Sequence, residues 1–557
     1  MTRTGSQIIT ELVLRQGIDT VAGIPGGGNL PLYDAMGQSR MRHILTRHEQ
    51  GAGFLAQGAA RVTGRPAVCM GTSGPGATNL LTAIADAKLD SVPLVAITGQ
   101  VPTAMMGTDA FQEVDMYGLT LPITKHNFLV RETAELLDVL PEAFAIAASG
   151  RPGPVAVDIP KDVQTGEIEF DAWPEPGEAA PLPACDPSQV ARLAQMIRQA
   201  ERPVLYVGGG IIASGCTEDL RLLVRKNSLP VTHTLMGIGA FPSDDPLSLG
   251  MLGMHGQRAT NLLMEETDLI IAIGVRFDDR ATGKVREFCP QATIAHVDVD
   301  RSEIDKLRSS NISITGDACD LLRQLLPLVE DNDRKAWISR LDELRALNPE
   351  RRCPEGDPRH PRCLIAELAR HMDEDDIVAT DVGQHQMWVA QHYPFRRPRR
   401  LLTSGGLGTM GFGLPAAIGA AVARPDKHVL CVSGDGSIMM NIQELATLRE
   451  LGANVTVVIF ENGHLGLVRQ QQELFYGGRY NAVRFEAVPD FAALARAFGI
   501  QSFDLGRTGD PADMLAEAMR VQGPCVVAAP IHETENVYPM VPPGAANREM
   551  IGGETHA

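Results

Sequence analysis

The sequence predicts an α/β protein of three doubly wound domains, each built on a parallel β-sheet. Short runs rich in Val, Ile and Leu, such as PAVCMGT, DLIIAIGV and HVLCVSGDG, alternate with longer segments of helical character. Continuous apolar strands separated by helices are typical of βαβ units whose sheets are buried on both faces. Two proline-rich breaks divide the 557 residues into three blocks of domain size.

These breaks define the predicted domain boundaries. One break is acidic and proline-rich, the other combines proline with charge, and both compositions favour extended crossings between domains. We therefore predict a first domain at 1–164, a linker at 165–187, a central domain at 188–345, a linker at 346–361, a third domain at 362–540 and a C-terminal tail at 541–557.

The composition argues against several functions. Lys and Arg total 50 against 68 Asp and Glu, giving a formal net charge of −18, whereas nucleic acids and anionic membranes need clustered cations. The longest weakly polar run, residues 411–423, is shorter than the roughly 20 apolar residues of a transmembrane helix. Nine scattered cysteines without a C-x-x-C pair indicate neither a zinc site nor a disulfide framework. Because the N-terminus has no targeting pattern either, we expect a reducing, cytoplasmic location.

Two segments of the chain repeat one pattern. Residues 68–100 and 429–462 each read as a strand, a Ser-Gly-x-Gly tetrapeptide, an amphipathic helix and a second strand. Two unrelated βαβ units would not be expected to share that tetrapeptide. We therefore predict that the first and third domains are versions of one fold around a different central domain. The variable position is proline in the first copy and aspartate in the third.

The third domain carries a candidate site for a phosphate and a divalent cation. Asp435 lies in a Gly-Asp-Gly-Ser string that follows an apolar strand and opens a helix, where glycines and free N–H groups suit a phosphate. Asn462 follows the next strand, and the carboxyl ends of adjacent parallel strands meet at one crevice. Both side chains are therefore candidate Mg²⁺ ligands. The alternative is that Gly-Asp-Gly is an ordinary turn.

Glu49 is the candidate acid–base residue of the first domain. It follows a short strand and begins a helix of small residues that Gly64 ends. From the residues alone, the position favours a simpler role, a negative charge beside the positive end of the helix dipole.

The central domain contains a further candidate site. Arg276 begins the string RFDDR, which follows an apolar strand at the carboxyl end of the predicted sheet. A guanidinium there suits two-point binding of a carboxylate, and the alternative is a solvated charge cluster. Residues 207–213 fit a dinucleotide-binding glycine pattern only weakly, because the acidic ribose partner expected about 20 residues later is missing.

These motifs resemble those of the thiamin diphosphate (ThDP) enzymes. Gly-Asp-Gly followed after under thirty residues by Glu-Asn is similar to their cofactor motif. Long strings, including TSGPGATNLLTAIADA (72–87), GVRFDDRATGK (274–284) and GLGTMGFGLPAAIGA (406–420), resemble the large subunit of acetohydroxyacid (acetolactate) synthase over nearly the whole chain. The resemblance implies a ThDP-binding fold in the first and third domains and FAD in the central one. It also implies active sites between subunits of a homodimer or homotetramer, and leaves open a small regulatory subunit.

The resemblance also assigns roles by position. Glu49 would share a proton with the pyrimidine ring of ThDP and so promote the reactive ylid. The other implied catalytic residues are Phe111 and Gln112 near the reacting carbons, Lys161 in the substrate channel, Arg276 on the carboxylate of the second 2-oxoacid and Gln471 beside that acceptor. The implied cofactor residues are Gln384, His385, Gly434, Asp435, Gly436 and Ser437 at the diphosphate, with Asp435, Asn462 and the backbone of His464 on Mg²⁺, Gly408 and Met410 at the pyrimidine, and Arg151, His255, Arg276, Asp298 and Asp317 at FAD.

The implied activity is the first common step of branched-chain amino-acid biosynthesis. Pyruvate loses CO₂, and the remaining two-carbon unit adds to a second pyruvate or to 2-oxobutyrate. Gln471 stands where relatives carry tryptophan, which predicts a preference for 2-oxobutyrate weakened by about 1–2 kcal/mol and pyruvate self-condensation as the main reaction. The alternative is neutral drift on an exposed helix. The alternatives are another ThDP-dependent decarboxylase or acetyltransferase, such as a sulfoacetaldehyde acetyltransferase, and a catalytically silent regulatory paralogue. Intact Glu49, Asp435 and Asn462 argue against the silent paralogue.

Overall fold

Three six-stranded parallel β-sheets follow one another along the chain. The computed structural model describes residues 1–349, 353–354, 357–507 and 509–552. Apolar side chains on both faces of each sheet are buried under helices, as expected for doubly wound domains. The predicted α/β class is confirmed.

The first domain contains one of these sheets and a small antiparallel ribbon. Its elements are β1 (Thr2–Thr4), α1 (Gly5–Arg15), β2 (Thr20–Gly23), α2 (Leu30–Gly37), β3 (Arg42–Leu45), α3 (Glu49–Thr63), β4 (Ala67–Gly71), α4 (Pro75–Thr78), α5 (Leu81–Leu89), β5 (Leu94–Gln100), α6 (Met116–Thr120), β6 (His126–Leu129), α7 (Leu136–Ala148), β7 (Pro154–Pro160), α8 (Lys161–Thr165) and β8 (Glu167–Glu169). The parallel sheet has the order β3-β2-β4-β5-β7-β6. The ribbon pairs β1 with β8, so residues 165–187 are not irregular throughout, because β1 offers β8 a backbone partner.

The central domain has a different strand order. Its elements are α9 (Pro187–Gln199), β9 (Pro203–Val207), α10 (Gly209–Ser214), α11 (Thr217–Asn227), β10 (Val231–His233), β11 (Ser248–Met251), α12 (Arg258–Glu266), β12 (Leu269–Ile273), α13 (Asp279–Thr282), β13 (Thr293–Asp298), β14 (Ile312–Thr315), α14 (Ala318–Leu325) and α15 (Lys335–Leu347). The order β11-β10-β9-β12-β13-β14 reverses between β9 and β12. Ligands of such sheets bind outside the strand ends at this reversal.

The third domain repeats the topology of the first. Its elements are α16 (Pro361–Arg370), β15 (Ile377–Thr380), α17 (Gln384–His392), β16 (Leu401–Leu402), α18 (Gly413–Ala423), β17 (Val429–Gly434), α19 (Asp435–Ile438), α20 (Glu444–Leu451), β18 (Val455–Glu461), α21 (Gly466–Phe475), α22 (Phe491–Ala497), β19 (Gln501–Asp504), α23 (Pro511–Met519) and β20 (Cys525–Pro530). The order β16-β15-β17-β18-β20-β19 matches that of the first sheet strand for strand. The two Ser-Gly-x-Gly turns follow equivalent strands, β4 and β17. The predicted duplication is confirmed.

The first and third domains pack through equivalent helices, α3 and α18. A Cβ atom on Gly58 would lie 2.0 Å from the carbonyl oxygen of Ala416, and one on Gly419 would lie 1.9 Å from that of Leu55. The contact is therefore reciprocal, and only glycine allows the two helix backbones to approach so closely. Phe54 on α3 and Phe412 before α18 add an edge-to-face ring contact with centroids 5.4 Å apart.

The cysteine prediction was wrong in one respect. Cys353 and Cys363 form a disulfide, with Cα atoms 5.0 Å apart. Pairing of two cysteines ten residues apart depends on a turn that cysteine counting does not reveal. Part of the predicted second linker, residues 350–352 and 355–356, lies outside the described residues, as do residue 508 and residues 553–557 of the tail. Over the described ranges, no helix is long and apolar enough to cross a membrane.

Candidate active site

All three domains contribute to a cavity of about 830 Å³. Seven of the predicted site residues line it: Arg151, His255, Arg276, Asp298, Asp317, Gly408 and Gln471. The cavity lies at the carboxyl ends of β9 and β12, where the strand order of the central sheet reverses. Its volume is within the range of cofactor sites, roughly 300–1,000 Å³.

A strained turn aims Arg276 into this cavity. The next residue, Phe277, has φ +52°, a conformation that is unfavourable for a bulky side chain. Phe277 is buried against the rings of Tyr206 and His296, whose centroids lie 5.6 Å and 5.0 Å away. Arg276 and Asp278 line the cavity on either side of it, and Arg276 donates to the backbone oxygen of Leu89 at 2.9 Å. RFDDR is therefore an ordered part of the cavity wall.

Burial changes the charge of other cavity residues. It raises the pKa of Asp298 to about 6 and lowers the pKa of His255 to about 4, because a shielded group is more stable uncharged. The ring of His255 lies 3.3 Å from the backbone oxygen of Pro539 in the C-terminal tail. Arg151 forms an ion pair with Glu303 at 2.6 Å. Asp317 lies directly before α14.

A second group of predicted residues meets at the ends of β17 and β18. Asp435 Oδ2 accepts from the backbone N–H groups of Asn462 at 3.0 Å and Gly463 at 2.7 Å, while its Oδ1 accepts from Gly436 at 2.9 Å. Asn462 Oδ1 accepts from the N–H of His464 at 3.1 Å. Burial raises the pKa of Asp435. The predicted Mg²⁺ ligands are thus neighbours at one strand edge. Among the described residues, no group of three or more His, Cys, Asp or Glu could hold a metal ion, so the predicted ligands here are one carboxylate, one amide and a backbone carbonyl.

Gln384 and His385 begin α17 beside this group. Gln384 Nε2 donates to Gln470 Oε1 at 3.0 Å and to the backbone oxygen of Glu535 at 2.9 Å. His385 is 5% exposed, its Nε2 has no hydrogen-bond partner, and burial lowers its pKa to about 3. A Cβ atom on Gly434 would lie 2.9 Å from the ring of His385. A buried, unpartnered imidazole beside a glycine turn is suited to a ligand with polar groups.

Glu49 belongs to a third group, in the first domain. It is the first residue of α3 and is 8% exposed. Its Oε2 accepts from Asn79 Nδ2 at 2.9 Å, and a Cβ atom on Gly76 would lie 3.2 Å from its Oε1. The carboxylate therefore faces the Ser-Gly-Pro-Gly turn of its own domain. Neither Glu49 nor Asp435 lines the three-domain cavity of the described chain.

The remaining predicted substrate residues lie in the first domain, in the loop after β5 and at the end of β7. Phe111 is 88% exposed, and Gln112 has φ +61°. A Cβ atom on Gly74 would lie 2.9 Å from the Cα atom of Gln112, so this loop lies on the Ser-Gly-Pro-Gly turn and near Glu49. Lys161 begins α8, directly after β7.

Three models of the thiamine pyrophosphate enzymes match the chain. They are the N-terminal TPP binding domain at residues 3–119, the central domain at 190–325 and the C-terminal TPP binding domain at 381–529. The chain is also 54% identical over 553 residues to the acetolactate synthase isozyme 1 large subunit of Escherichia coli strain K12, covering 99% of this chain and 98% of that one. The chain belongs to the acetolactate synthase large-subunit family.

Two further members of the family show the same full-length similarity. The isozyme 2 large subunit of E. coli K12 is 46% identical over 549 residues, covering 98% of this chain and 99% of its own length. The probable acetolactate synthase large subunit of Methanocaldococcus jannaschii is 45% identical over 561 residues, covering 98% and 95%. Thiamin diphosphate is accordingly the cofactor of the matched domains, as the sequence predicts.

Sequence reasoning missed several charged residues around the site. Arg61, Asp90 and Arg399 line the cavity, and Asp86 is wholly buried nearby. The signal for Asp86 and Asp90 was two carboxylates four residues apart in a helix of small apolar residues, where burial requires partners. Arg399 lies in a basic run that the sequence gives no reason to connect with a ligand.

Proposed function

We propose that this chain catalyses acetolactate synthesis. Pyruvate loses CO₂, and its remaining two-carbon unit adds to the carbonyl carbon of a second 2-oxoacid. Two pyruvates thus give 2-acetolactate and CO₂, and 2-oxobutyrate as acceptor gives 2-aceto-2-hydroxybutyrate. The observation that carries the proposal is the 54% identity to an acetolactate synthase large subunit over all three domains.

The third domain would hold the diphosphate of ThDP and a Mg²⁺ ion. Asp435, Asn462 and the backbone carbonyl of His464 would be the metal ligands, since hard cations prefer oxygen donors and phosphates. The buried, unpartnered Nε2 of His385 and the glycine turn before α19 fit a polar group at this position. Gly434, Gly436 and Ser437 belong to the same turn, and Gln384 Oε1 accepts from Asn462 Nδ2 at 3.4 Å beside it. Gly408 and Met410 would contact the pyrimidine.

Bound ThDP supplies the electron sink that accepts the electron pair left when CO₂ departs. The residues of the chain would exchange protons with the cofactor and position the substrate. Glu49 would hold a proton against the pyrimidine nitrogen, because its carboxyl is nearly shielded from water and oriented by Asn79. Phe111 and Gln112 would lie beside the reacting carbons, and Lys161 would attract the substrate carboxylate.

The complete site would lie between two subunits of a homodimer or homotetramer. Within the described chain, Glu49 and Asp435 belong to separate groups, and neither lines the shared cavity. Large apolar side chains around the outer domains are strongly exposed, including Phe111 at 88% and Leu121 at 62%. Covering these side chains at a subunit contact would remove them from water, which supports the proposal. A cytoplasmic location and an associated small regulatory subunit are consistent with the family and form part of the proposal.

FAD is the proposed ligand of the three-domain cavity. The backbones at Gly208 and Gly274 touch, since a Cβ atom on Gly208 would lie 2.1 Å from the Gly274 carbonyl oxygen. This contact leaves a tight turn at the end of β9 that can approach a pyrophosphate. Arg151 and Arg276 provide cations, and His255, Asp298 and Asp317 line the remainder. FAD would have a structural role, since the proposed reaction transfers no electrons overall.

Arg276 and Gln471 would define the acceptor site. Both side chains line the same cavity. The guanidinium of Arg276 would bind the carboxylate of the acceptor, and the side chain of Gln471 would lie beside its alkyl group. Gln471→Trp should increase the preference for 2-oxobutyrate over pyruvate about 5- to 30-fold in a competition assay, matching 1–2 kcal/mol of apolar contact. An unchanged product ratio would contradict this role of Gln471.

The proposed function is tested with purified protein, ThDP, Mg²⁺ and FAD. Pyruvate alone should give 2-acetolactate and CO₂ in a 1:1 ratio, and omission of ThDP should abolish both. Acetaldehyde in place of acetolactate would identify a simple decarboxylase. Acetyl phosphate and sulfite formed from sulfoacetaldehyde and added inorganic phosphate would identify an acetyltransferase. Bound ThDP without any turnover would identify a silent regulatory subunit.

A further inference from the structure

Two segments before the reciprocal helices carry the proposed pyrimidine contacts. The pyrimidine loop, residues 404–410, precedes α18 and contains Gly408 and Met410. The glutamate turn, residues 46–48, precedes α3 and leads into Glu49. Each segment hydrogen-bonds to buried carboxylates of the other outer domain.

Asp90, at the end of α5, binds two consecutive amides of the pyrimidine loop. Its Oδ2 accepts from the N–H of Gly405 at 2.9 Å, and its Oδ1 accepts from that of Gly406 at 2.7 Å. Arg61 donates to the same Oδ2 at 2.8 Å. The Asp90 side chain is fully shielded from solvent. Both oxygens of Asp90 therefore accept hydrogen bonds, and two consecutive amides of the loop depend on this one side chain.

Asp86, one helical turn earlier, binds two side chains of the same loop. Its Oδ1 accepts from Ser404 Oγ and, at 3.0 Å, from Thr409 Oγ1. Ser404 Oγ in turn accepts from the backbone N–H of Thr409 at 2.8 Å, which closes the loop on itself. The first and last residues of this closed loop thus depend on one buried carboxylate of the first domain, and Gly408 lies directly before Thr409 with φ +68°.

Glu444 makes the reciprocal contact from the third domain. It is the first residue of α20 and is wholly buried. Its Oε1 accepts from the N–H groups of Arg47 at 2.9 Å and His48 at 3.0 Å, and Thr447 Oγ1 donates to its Oε2 at 2.6 Å. The backbone immediately before Glu49 is therefore fixed by the third domain.

We propose that Asp86, Asp90 and Glu444 are positioning residues through which each outer domain sets the geometry of the other domain's pyrimidine-contacting segment. Glu444 would orient Glu49, and the two aspartates would orient Gly408 and Met410. The inference rests on the proposed roles of Glu49, Gly408 and Met410. The amides of Gly405, Arg47 and His48 are partly buried. An amide of this kind that loses its acceptor destabilises the segment, so the segments would rearrange rather than remain in place.

The chemistry of each contact predicts a different response to amide substitution. Asp90→Asn replaces one accepting oxygen with a donor that must face an N–H group or Arg61. Glu444→Gln keeps the single oxygen that accepts from both amides, so it should behave like the wild-type chain, whereas Glu444→Ala should not. Ser404→Ala removes the loop closure without altering a buried charge, and provides a second variant of the pyrimidine loop. Glu450→Gln, which alters an exposed ion pair with Arg47 between the same domains, is the matched control.

The test combines amide exchange of the apo-protein with ThDP titration by calorimetry. Peptides covering residues 402–412 should exchange at least tenfold faster in Asp90→Asn and Ser404→Ala, and those covering 45–50 in Glu444→Ala. ThDP dissociation constants should rise about tenfold or more in these three variants, the size expected when one hydrogen bond of a partly buried amide is lost. Glu444→Gln and Glu450→Gln should match the wild-type chain in both measurements.

Three results would overturn the proposal. The first is local amide exchange in Asp90→Asn and Ser404→Ala within twofold of the wild type. The second is faster exchange with an unchanged ThDP dissociation constant. The third is an equal change in exchange rate and ThDP affinity in Glu444→Gln and Glu444→Ala. If Asp90→Asn fails to fold, the Ser404 and Glu444 variants alone test the proposal. Failure of the proposed function would look different, since the wild-type chain would then bind ThDP without forming acetolactate while the exchange results stood unchanged.

Discussion

The first and third domains share one fold but present different chemistry at the same place. Both sheets have the same strand order, and both equivalent strands lead into Ser-Gly-x-Gly. In the first domain Gly74 has φ +59° and is followed by Pro75, which offers no donor or charge. In the third, Gly434 is extended and Asp435 collects three backbone N–H groups. One variable position in a duplicated turn therefore distinguishes the domain that we propose to hold the metal from the other.

The largest effect should come from Glu49, the acid–base group that we propose for the first domain. Glu49→Gln keeps the side chain's shape and its contact with Asn79 but removes its ability to exchange a proton. Acetolactate formation should fall by at least about 100-fold, the usual size of a general acid–base contribution, while the ThDP dissociation constant changes by less than about threefold. Initial rates and calorimetry measure the two quantities. Asp34→Asn, an exposed carboxylate of α2, is the control, and a Glu49→Gln variant with a tenth of wild-type activity would refute the role.

Substitutions at the variable position of Ser-Gly-x-Gly test which of the two domains binds the metal. Asp435→Asn should raise the Mg²⁺ concentration needed for half-maximal activity at least about tenfold, because a neutral amide binds a hard cation more weakly than a carboxylate. Pro75→Asp should leave that concentration unchanged, since the first domain has no Asn462 equivalent at the next strand end. Activity measured against Mg²⁺ in EDTA-treated protein gives both values. An unchanged requirement in Asp435→Asn would remove Asp435 from the metal site.

The sequence was sufficient for the fold class and the duplication, but not for the way in which the site residues group. Strand–helix alternation and the repeated tetrapeptide depend on local pattern, and local pattern determines topology in a doubly wound domain. Asp435 and Asn462 could be paired in advance, because adjacent parallel strands end at the same edge.

Contacts between domains were not accessible in this way. Asp86 and Asp90 lie more than 300 positions from the loop they bind, so no periodicity could connect them with it. The strain at Phe277 and the disulfide between Cys353 and Cys363 likewise depend on tertiary structure. From its own residues Glu49 fits a role at the helix dipole, and only the family resemblance points to acid–base catalysis.

Because the contact between α3 and α18 is reciprocal, we expect an alanine at the contact on either helix to lower the free energy of unfolding equally. Gly58→Ala and Gly419→Ala each place a Cβ atom about 2 Å from a carbonyl oxygen of the facing helix. Each should lower the free energy of unfolding by about 3 kcal/mol, as in overpacked cores. Gly37→Ala at the end of α2, where a Cβ atom meets nothing within 4 Å, should be neutral. Urea denaturation measures all three, and a large effect from only one of the two contact variants would show that the packing is not reciprocal.

The smallest predicted effect is a difference between the first and third domains in how their stability depends on pH. Asp158 near the end of β7 is 3% exposed and accepts from Thr98 Oγ1 at 2.7 Å and Gln100 Nε2 at 2.9 Å. Burial raises its pKa to about 7 despite these hydrogen bonds, whereas the equivalent strand β20 carries alanines at its end. A raised acid pKa means that the folded chain keeps a proton that the unfolded chain releases near pH 4. The stability this proton contributes is therefore present at low pH and is lost as pH rises through about 7.

Asp158→Asn removes this pH dependence and leaves every other titrating group in place. The difference in unfolding free energy between variant and wild type should therefore shift by about 2 kcal/mol in favour of the variant between pH 5 and pH 8. Urea denaturation at the two pH values gives the shift independently of any constant local cost of the substitution. Parallel pH profiles would mean that Asp158 is already ionised at pH 5, so that Thr98 and Gln100 outweigh its burial. The first domain would then be as insensitive to pH at this strand end as the third.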